Sequence, residues 1–228
     1  MYKEEKITEL EKKIGYEFKQ KQLLRQALTH SSFSNEQKIN KMKNYERLEF
    51  LGDAVLELLS SRFFFEKFPD MSEGQMTRLR SSMVCEPALA YCARDLSLNQ
   101  YILLGKGEEA TGGRKRDSII SDVMEAVLGA IYLDGGLDQA DEFVKKFILS
   151  DLENKQLFYD SKSILQERIQ KVGKSLCYEL VEESGPDHDK FFVVEARIDG
   201  HAVSRGTGKN KKTAEQQAAY QVLKEKLL

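Results

Sequence analysis

The chain has 228 residues, 35 Lys+Arg against 37 Asp+Glu, and a hydrophobic fraction of 41%, enough for a globular core in one or two domains. No apolar run reaches the ~18 residues of a membrane span, and the charged start MYKEEKITELEKK lacks the apolar segment of a secretory signal. Three widely spaced cysteines, Cys85, Cys92 and Cys177, suit neither a disulfide framework nor a zinc site, which points to a reducing cytoplasm. The net charge of −2 does not announce a nucleic-acid ligand, and neither does its distribution: residues 160–228 hold 12 Lys+Arg and 11 Asp+Glu, the remainder 23 and 26. Local clustering has to carry any such argument.

Taken in order, Ile7, Leu10, Ile14 and Phe18 recur at helical spacing, with Gly15 as an interruption. Residues 21–32, KQLLRQALTHSS, predict a second short helix, and residues 35–43 a polar loop. Residues 44–65, NYERLEFLGDAVLELLSSRFFF, predict one long helix around which the chain is organised. At about 100° per residue, Glu46, Glu49 and Asp53 fall on one face. Leu48, Leu51, Val55, Leu58 and Leu59 cover the opposite one, Phe50, Ala54 and Leu56 flank the acids, and Arg47 points elsewhere. A helix apolar on most sides is expected to be buried. Phe68 to Ser72 ends it, and Asp70 or Ser72 caps the next helix, which carries Met76, Leu79 and Met83 on one face. Pro87 opens another, through Leu89, Cys92, Ala93 and Leu96.

Residues 105–117, with four glycines and the triplet Arg114-Lys115-Arg116, predict a loop. The next helix is apolar from Ile119 to Leu133 apart from Ser121, Asp122, Glu125 and Tyr132. Its small residues Ala126, Gly129 and Ala130 permit a close helix–helix approach, and Gly135-Gly136 stops it. An amphipathic helix over 137–152 completes an all-helical first part. Beyond about residue 153 the pattern changes to a helix ended by Gly173, three candidate strands and a final helix. The expected fold is therefore an all-α domain over 1–153 and a small α+β domain of order α-β-β-β-α over 160–228, joined by a polar connection.

Carboxylates crowded into a poorly solvated place must be neutralised by protons, by Arg or Lys, or by a metal ion. Asp122 and Glu125, at i and i+3, read alone as a capped or Arg-paired helix start. Read with Glu46, Glu49 and Asp53, they imitate the way helical metalloproteins build a divalent site from facing helices. Oxygen-only ligands suit Mg²⁺ or Mn²⁺, and such ions assist phosphodiester hydrolysis. The rival histidine chemistry has only His30, His188 and His201 to draw on, and His30 in ALTHSS fits a helix-end or packing role. At the C-terminal end Lys209, Lys211 and Lys212 cluster at a helix start, which by itself is an ordinary solvated face.

ERLEFLGD (46–53) and GKGEEATGGRKRDSIISDVMEAVLGAIYLDGG (105–136) resemble the signatures of ribonuclease III. Gln166-Glu167, the loop Gly185-Pro186-Asp187-His188 and GTGKNKKTAEQQAA resemble the double-stranded RNA-binding domain. The resemblance spans essentially the whole chain. It implies an endoribonuclease that cuts double-stranded RNA to 5′-phosphate and 3′-hydroxyl ends, acting on ribosomal RNA precursors and other structured transcripts, messenger and transfer RNA among them. It places Glu49, Asp53, Asp122 and Glu125 at a Mg²⁺ site, with Mn²⁺ as a substitute and with Asp53 and Glu125 as catalytic residues. Glu46 and Glu73 fall at an acidic rim that serves a dimer partner, and Phe50 docks into that partner. Gln166 and Glu167 face one minor groove, the loop around His188 the next, and Lys209, Lys211 and Lys212 the phosphates. The resemblance also implies a homodimer, with no membrane and no small-molecule cofactor. Tyr45 stands where Asn is common and Gln75 where an acid is frequent; Glu57, also on the acidic face, is assigned no role. A non-catalytic double-stranded RNA-binding regulator is the alternative, which the four acids argue against. A hydrolase of small phosphates is a third reading, which the second domain argues against.

Overall fold

A computed structural model of the chain describes residues 4–37, 43–150, 161–186 and 190–224. They divide into two compact units, Met1–Ser150 and Asp151–Leu228.

The first unit is helical. Helix α1 (Glu4–Ile14) buries Ile7, Leu10 and Ile14, and Gly15, at φ +78°, turns the chain out of it. Asp134 clamps the next turn: its carboxylate accepts from the Tyr16 hydroxyl and from the Lys19 and Gln20 amides, each at 2.8 Å. The single helix expected over 21–32 is two, α2 (Lys21–Ala27) and α3 (Ser31–Glu36). The break has a physical cause. Thr29 pairs with Leu103 in an isolated parallel bridge, and His30 is extended so that its ring Nδ1 accepts from the Ser32 amide at 3.1 Å and caps α3. The expected loop from residue 35 starts only after α3, and residues 38–42 lie outside the described residues.

Helix α4 (Glu46–Lys67) is followed by α5 (Glu73–Met83). Ser72 caps α5 in a reciprocal box: its side chain accepts from the Gln75 amide, and Gln75 Oε1 accepts from the Ser72 amide at 2.8 Å. Gln75 therefore performs the capping that an acid there would perform. Helix α6 (Glu86–Asp95) opens on Pro87 as expected. The stretch 105–117 is not a plain loop but contains helix α7 (Lys106–Ala110) and a 3₁₀ turn, Gly113–Lys115. Its own charges pair within it, Arg114 with Glu109 at 2.9 Å and Arg116 with Glu108 at 2.7 Å. Helices α8 (Asp117–Gly135) and α9 (Leu137–Phe143) come next, the latter continuing as a π-helical turn, Val144–Ile148.

The long helix is less buried than its composition implied. Leu48, Val55, Leu56 and Leu59 are in the core, but Phe50, Leu58 and Phe65 are 80%, 57% and 71% exposed. It is α8 that runs through the core, with Ile120, Val123, Met124, Val127, Leu128 and Ile131 fully buried. The two helices meet backbone to backbone. A Cβ on Gly52 would stand 1.9 Å from the Glu125 carbonyl oxygen, and one on Gly129 would stand 2.3 Å from that of Leu48. This crossing brings the acids of α4 to those of α8.

The second unit has the expected order: α10 (Ser161–Lys171), β1 (Leu176–Ser184), β2 (Phe191–Ile198), β3 (His201–Gly208) and α11 (Lys211–Lys224). The strands form one antiparallel sheet in sequence order. Asp199 and Gly200, at φ +49° and +81°, make the tight turn between β2 and β3. Leu165 and Ile169 of α10 pack with Ala218, Ala219 and Val222 of α11 over Ala196 and Ile198. Gly206 lets α11 lie directly on β3, since a Cβ there would stand 2.1 Å from the Ala214 carbonyl oxygen.

Candidate functional site

The crossing of α4 and α8 gathers three carboxylates. Glu49, Asp122 and Glu125 each offer an oxygen within 4.8 Å of the others, and all three are half-buried. None of them forms an ion pair with Lys or Arg among the described residues. Asp53 lies one turn beyond Glu49 and is exposed, as is Glu46 one turn before it. The acidic stripe is thus half-buried at its centre and wet at its ends, not uniformly buried. The donor set consists only of carboxylate oxygens, which fits a hard divalent cation.

Electrostatics reflect this crowding. Burial, with the Asp122, Glu46 and Asp53 charges, pushes Glu49 up to about 7. Burial, with Asp53, Asp122 and Glu49, pushes Glu125 up to about 8. Asp122 is also raised, by burial first, while a hydrogen bond from Tyr45 acts against the rise. Folding therefore strengthens proton binding at Glu49 and Glu125, whose ordinary value is 4.5. This contribution to stability is complete below the unfolded value and is lost as pH rises through about 7 and then 8. The melting temperature of the metal-free protein is expected to fall between about pH 4.5 and about pH 8, and a saturating divalent cation to remove most of that fall by binding the ionised forms. A metal-free melting temperature that is flat over this interval contradicts the description of the cluster.

The remaining expected site residues divide. Glu73 is not part of the cluster; it is exposed at the start of α5, accepts from the Thr77 hydroxyl at 3.0 Å, and lines an apolar groove of about 560 Å³ with Leu58, Phe65 and Met76. Phe50 stands in solvent on the α4 face that also carries Leu58 and Phe65. Glu57 reaches Arg80 at 2.9 Å, a structural pair. His30 has a helix-end role, as the N-cap of α3.

In the second unit Gln166 is half-buried and Glu167 exposed on α10. Lys209, Lys211 and Lys212 are exposed where β3 passes into α11, and Asn210 caps that helix by accepting from the Thr213 amide at 2.9 Å. His188 lies outside the described residues. Two residues of the cluster were not singled out as site residues from the sequence. Gly52 carries a detectable signal, a glycine inside a strong helix, where it costs about 0.5–1 kcal/mol relative to Ala. Tyr45 stood out only as a departure from the family pattern, and nothing local shows that its hydroxyl reaches Asp122.

Comparison with known proteins gives this geometry a class. Residues 20–152 match the Ribonuclease-III-like family, and residues 161–226 match the double-stranded RNA binding motif. An acidic centre in the first and a duplex-binding motif in the second define an endoribonuclease of double-stranded RNA. The chain is 48% identical to Ribonuclease 3 of Geobacillus kaustophilus over 221 residues, covering 96% of this chain and 90% of that protein. It is 48% identical to Ribonuclease 3 of Caldanaerobacter subterraneus subsp. tengcongensis over 222 residues, covering 95% and 96%. A crystal structure of the nuclease domain of ribonuclease III from Campylobacter jejuni superposes with a TM-score of 0.58 at 43% identity, covering 65% of this chain and 95% of that one. A second structure of that domain, described as showing flexibility in a region involved in dimer formation, gives 0.58 at 44%, covering 62% and 95%. The chain belongs to the ribonuclease III family. No helix among the described residues is long and apolar enough to cross a membrane.

Proposed function

We propose that this enzyme cuts both strands of double-stranded RNA in a Mg²⁺-dependent reaction, with Mn²⁺ as a substitute, leaving 5′-phosphate and 3′-hydroxyl ends on short duplexes. The observation that carries this reading is the trio Glu49, Asp122 and Glu125, within 4.8 Å of one another and without a basic partner among the described residues. Those three are assigned as metal ligands, with Asp53 and Glu125 as the catalytic residues. Glu49, Asp122 and Glu125 would hold the divalent cation, which would supply positive charge for the phosphate and lower the pKa of a bound water. Glu49 and Glu125 hold protons near neutral pH without it and release them to bind it. Asp53, the exposed carboxylate of the four, has oxygens available to orient the attacking water.

Two matched sites are needed to cut two strands, and a two-fold homodimer supplies them with the correct polarity. Phe50, Leu58 and Phe65, exposed along one face of α4, support that assembly, with Phe50 docking into the partner. Glu46 and Glu73 are assigned to an acidic rim that serves the partner's site. The functional division is a nuclease domain over 1–153 and an RNA-binding domain over 160–228. Gln166, Glu167 and the loop of His188 are assigned to successive minor grooves, and Lys209, Lys211 and Lys212 to the phosphates between them. The setting is the cytoplasm, and the substrates are ribosomal RNA precursors and other structured transcripts, including those of messenger and transfer RNA; no small-molecule cofactor is required.

A long, perfectly paired RNA incubated with the protein in Mg²⁺, and separately in EDTA, tests the reaction by sizing and end analysis of the products. Short duplexes formed only with metal are expected; binding without cleavage in either Mg²⁺ or Mn²⁺ would assign the chain to non-catalytic regulation. The lysines have their own test. Replacing Lys211 and Lys212 together by Ala is expected to lower the slope of log affinity against log salt by about 2, about 1 per phosphate contact. The turnover of saturated enzyme should stay unchanged, and an unchanged salt slope removes the lysines from the phosphate contacts.

A further inference from the structure

We propose that Tyr45 is a positioning residue, one that sets the orientation of the Asp122 carboxylate for the cation. This rests on the reading of the acidic trio as a metal site. Tyr45 is only 4% exposed and stands immediately before α4. Its carbonyl accepts from the Leu48 and Glu49 amides at 2.7 and 2.9 Å, so it starts the helix that bears Glu49. Its amide donates to the Thr29 carbonyl at 2.9 Å, which fixes its backbone to the Thr29–Leu103 bridge. Its hydroxyl then crosses to α8 and donates to Asp122 Oδ2 at 3.3 Å, its one hydrogen-bond partner among the described residues.

The ring is held as firmly as the backbone. His30 lies against it, ring centroids 5.6 Å apart. His30 Nδ1 accepts both from the Ser32 amide at 3.1 Å and from the Ser32 hydroxyl at 2.7 Å. The Ser32 oxygen in turn accepts from the Gly105 amide at 2.9 Å, so the wall behind Tyr45 is fastened to the start of the 105–117 segment. A buried phenol with His30 against its ring and its hydroxyl on one carboxylate oxygen restricts rotation of that carboxylate and leaves the second oxygen for a cation. At 3.3 Å the bond is long for O–H···O, so it adds little to the stability of the fold. Groups that orient a ligand without touching the metal are worth about 10–100-fold in metal affinity.

The test is Mn²⁺ binding to the full-length chain, read from the paramagnetic resonance of free Mn²⁺, for the wild type, Tyr45→Phe, Asp122→Asn and the double variant. Tyr45→Phe is expected to weaken Mn²⁺ about 10–100-fold. In EDTA its melting temperature should fall by no more than about 2–4 °C, the equivalent of about 1 kcal/mol. In the Asp122→Asn background it should cause no further loss, because it acts through Asp122. High Mg²⁺ should restore wild-type kcat to Tyr45→Phe. Wild-type Mn²⁺ affinity in Tyr45→Phe beside a clear loss in Asp122→Asn overturns the proposal and leaves the site standing. A Tyr45→Phe chain that melts far lower also overturns it, since the hydroxyl would then be holding the fold. No Mn²⁺ binding by the wild type overturns the site itself and the proposal with it.

Discussion

Glu125→Gln is expected to slow duplex cleavage by more than about 100-fold while affinity for double-stranded RNA changes little. The lower bound comes from comparison: loss of a group that merely orients a ligand costs about 10–100-fold, so loss of a ligand must cost more. The amide keeps the size of the side chain and removes its charge. In the metal-free protein the amide replaces a carboxyl whose value burial and its acidic neighbours raise to about 8, so the fold should not suffer from the change. Duplex affinity rests on phosphate and groove contacts made elsewhere and should survive. Cleavage rate, gel-shift affinity in EDTA and melting temperature measured on the same preparation separate these effects. A variant that binds poorly yet cleaves at the wild-type rate would falsify the division of labour between the two domains.

Gly52→Ala is expected to damage fold and site together. The added Cβ would stand 1.9 Å from the Glu125 carbonyl oxygen and 2.6 Å from its carbon, and both obstacles are backbone, so α4 and α8 must separate. Overpacking of this kind costs about 1–3 kcal/mol, and a rigid obstacle places this case at the upper end. At about 2–4 °C per kcal/mol the melting temperature should fall by roughly 6–12 °C. Since Glu49 and Glu125 sit on the separating helices, Mn²⁺ affinity should fall as well. Gly74→Ala is the control, because a Cβ at Gly74 meets nothing within 4 Å. Equal behaviour of the two variants would mean that close approach at Gly52 is not what holds the acids together.

Much of this was legible in the chain because the acids announce themselves by spacing. Glu46, Glu49 and Asp53 share a face at the α-helical pitch, and Asp122 and Glu125 interrupt an otherwise apolar run, so the two acidic stripes could be read without knowing how they meet. The second strand of the second unit was legible for a similar reason, since residues 193–198, VVEARI, alternate with period 2. The features that escaped were set by contacts distant in sequence. The helix expected over 21–32 breaks because Thr29 pairs with Leu103, 74 positions away, and His30 turns to cap α3. The stretch 105–117 read as a loop from its glycines, yet it holds a helix and a 3₁₀ turn, with Glu108 and Glu109 paired to Arg116 and Arg114. Leu58 belonged to the apolar side by periodicity, yet it is 57% exposed, and an exposed apolar face looks like a core face in sequence. Tyr45 and Gly52 acquire their meaning only at the crossing of α4 and α8, which periodicity does not describe.

The central claim is that Glu49, Asp122 and Glu125 form one divalent-metal centre. Anomalous scattering from a crystal soaked in Mn²⁺ measures this most directly. The expected result is a strong peak coordinated by carboxylate oxygens of those three residues, absent from a crystal of Glu125→Gln soaked in the same way. A wild-type crystal with no peak at the crossing of α4 and α8, or with its peak on other residues, would contradict the account.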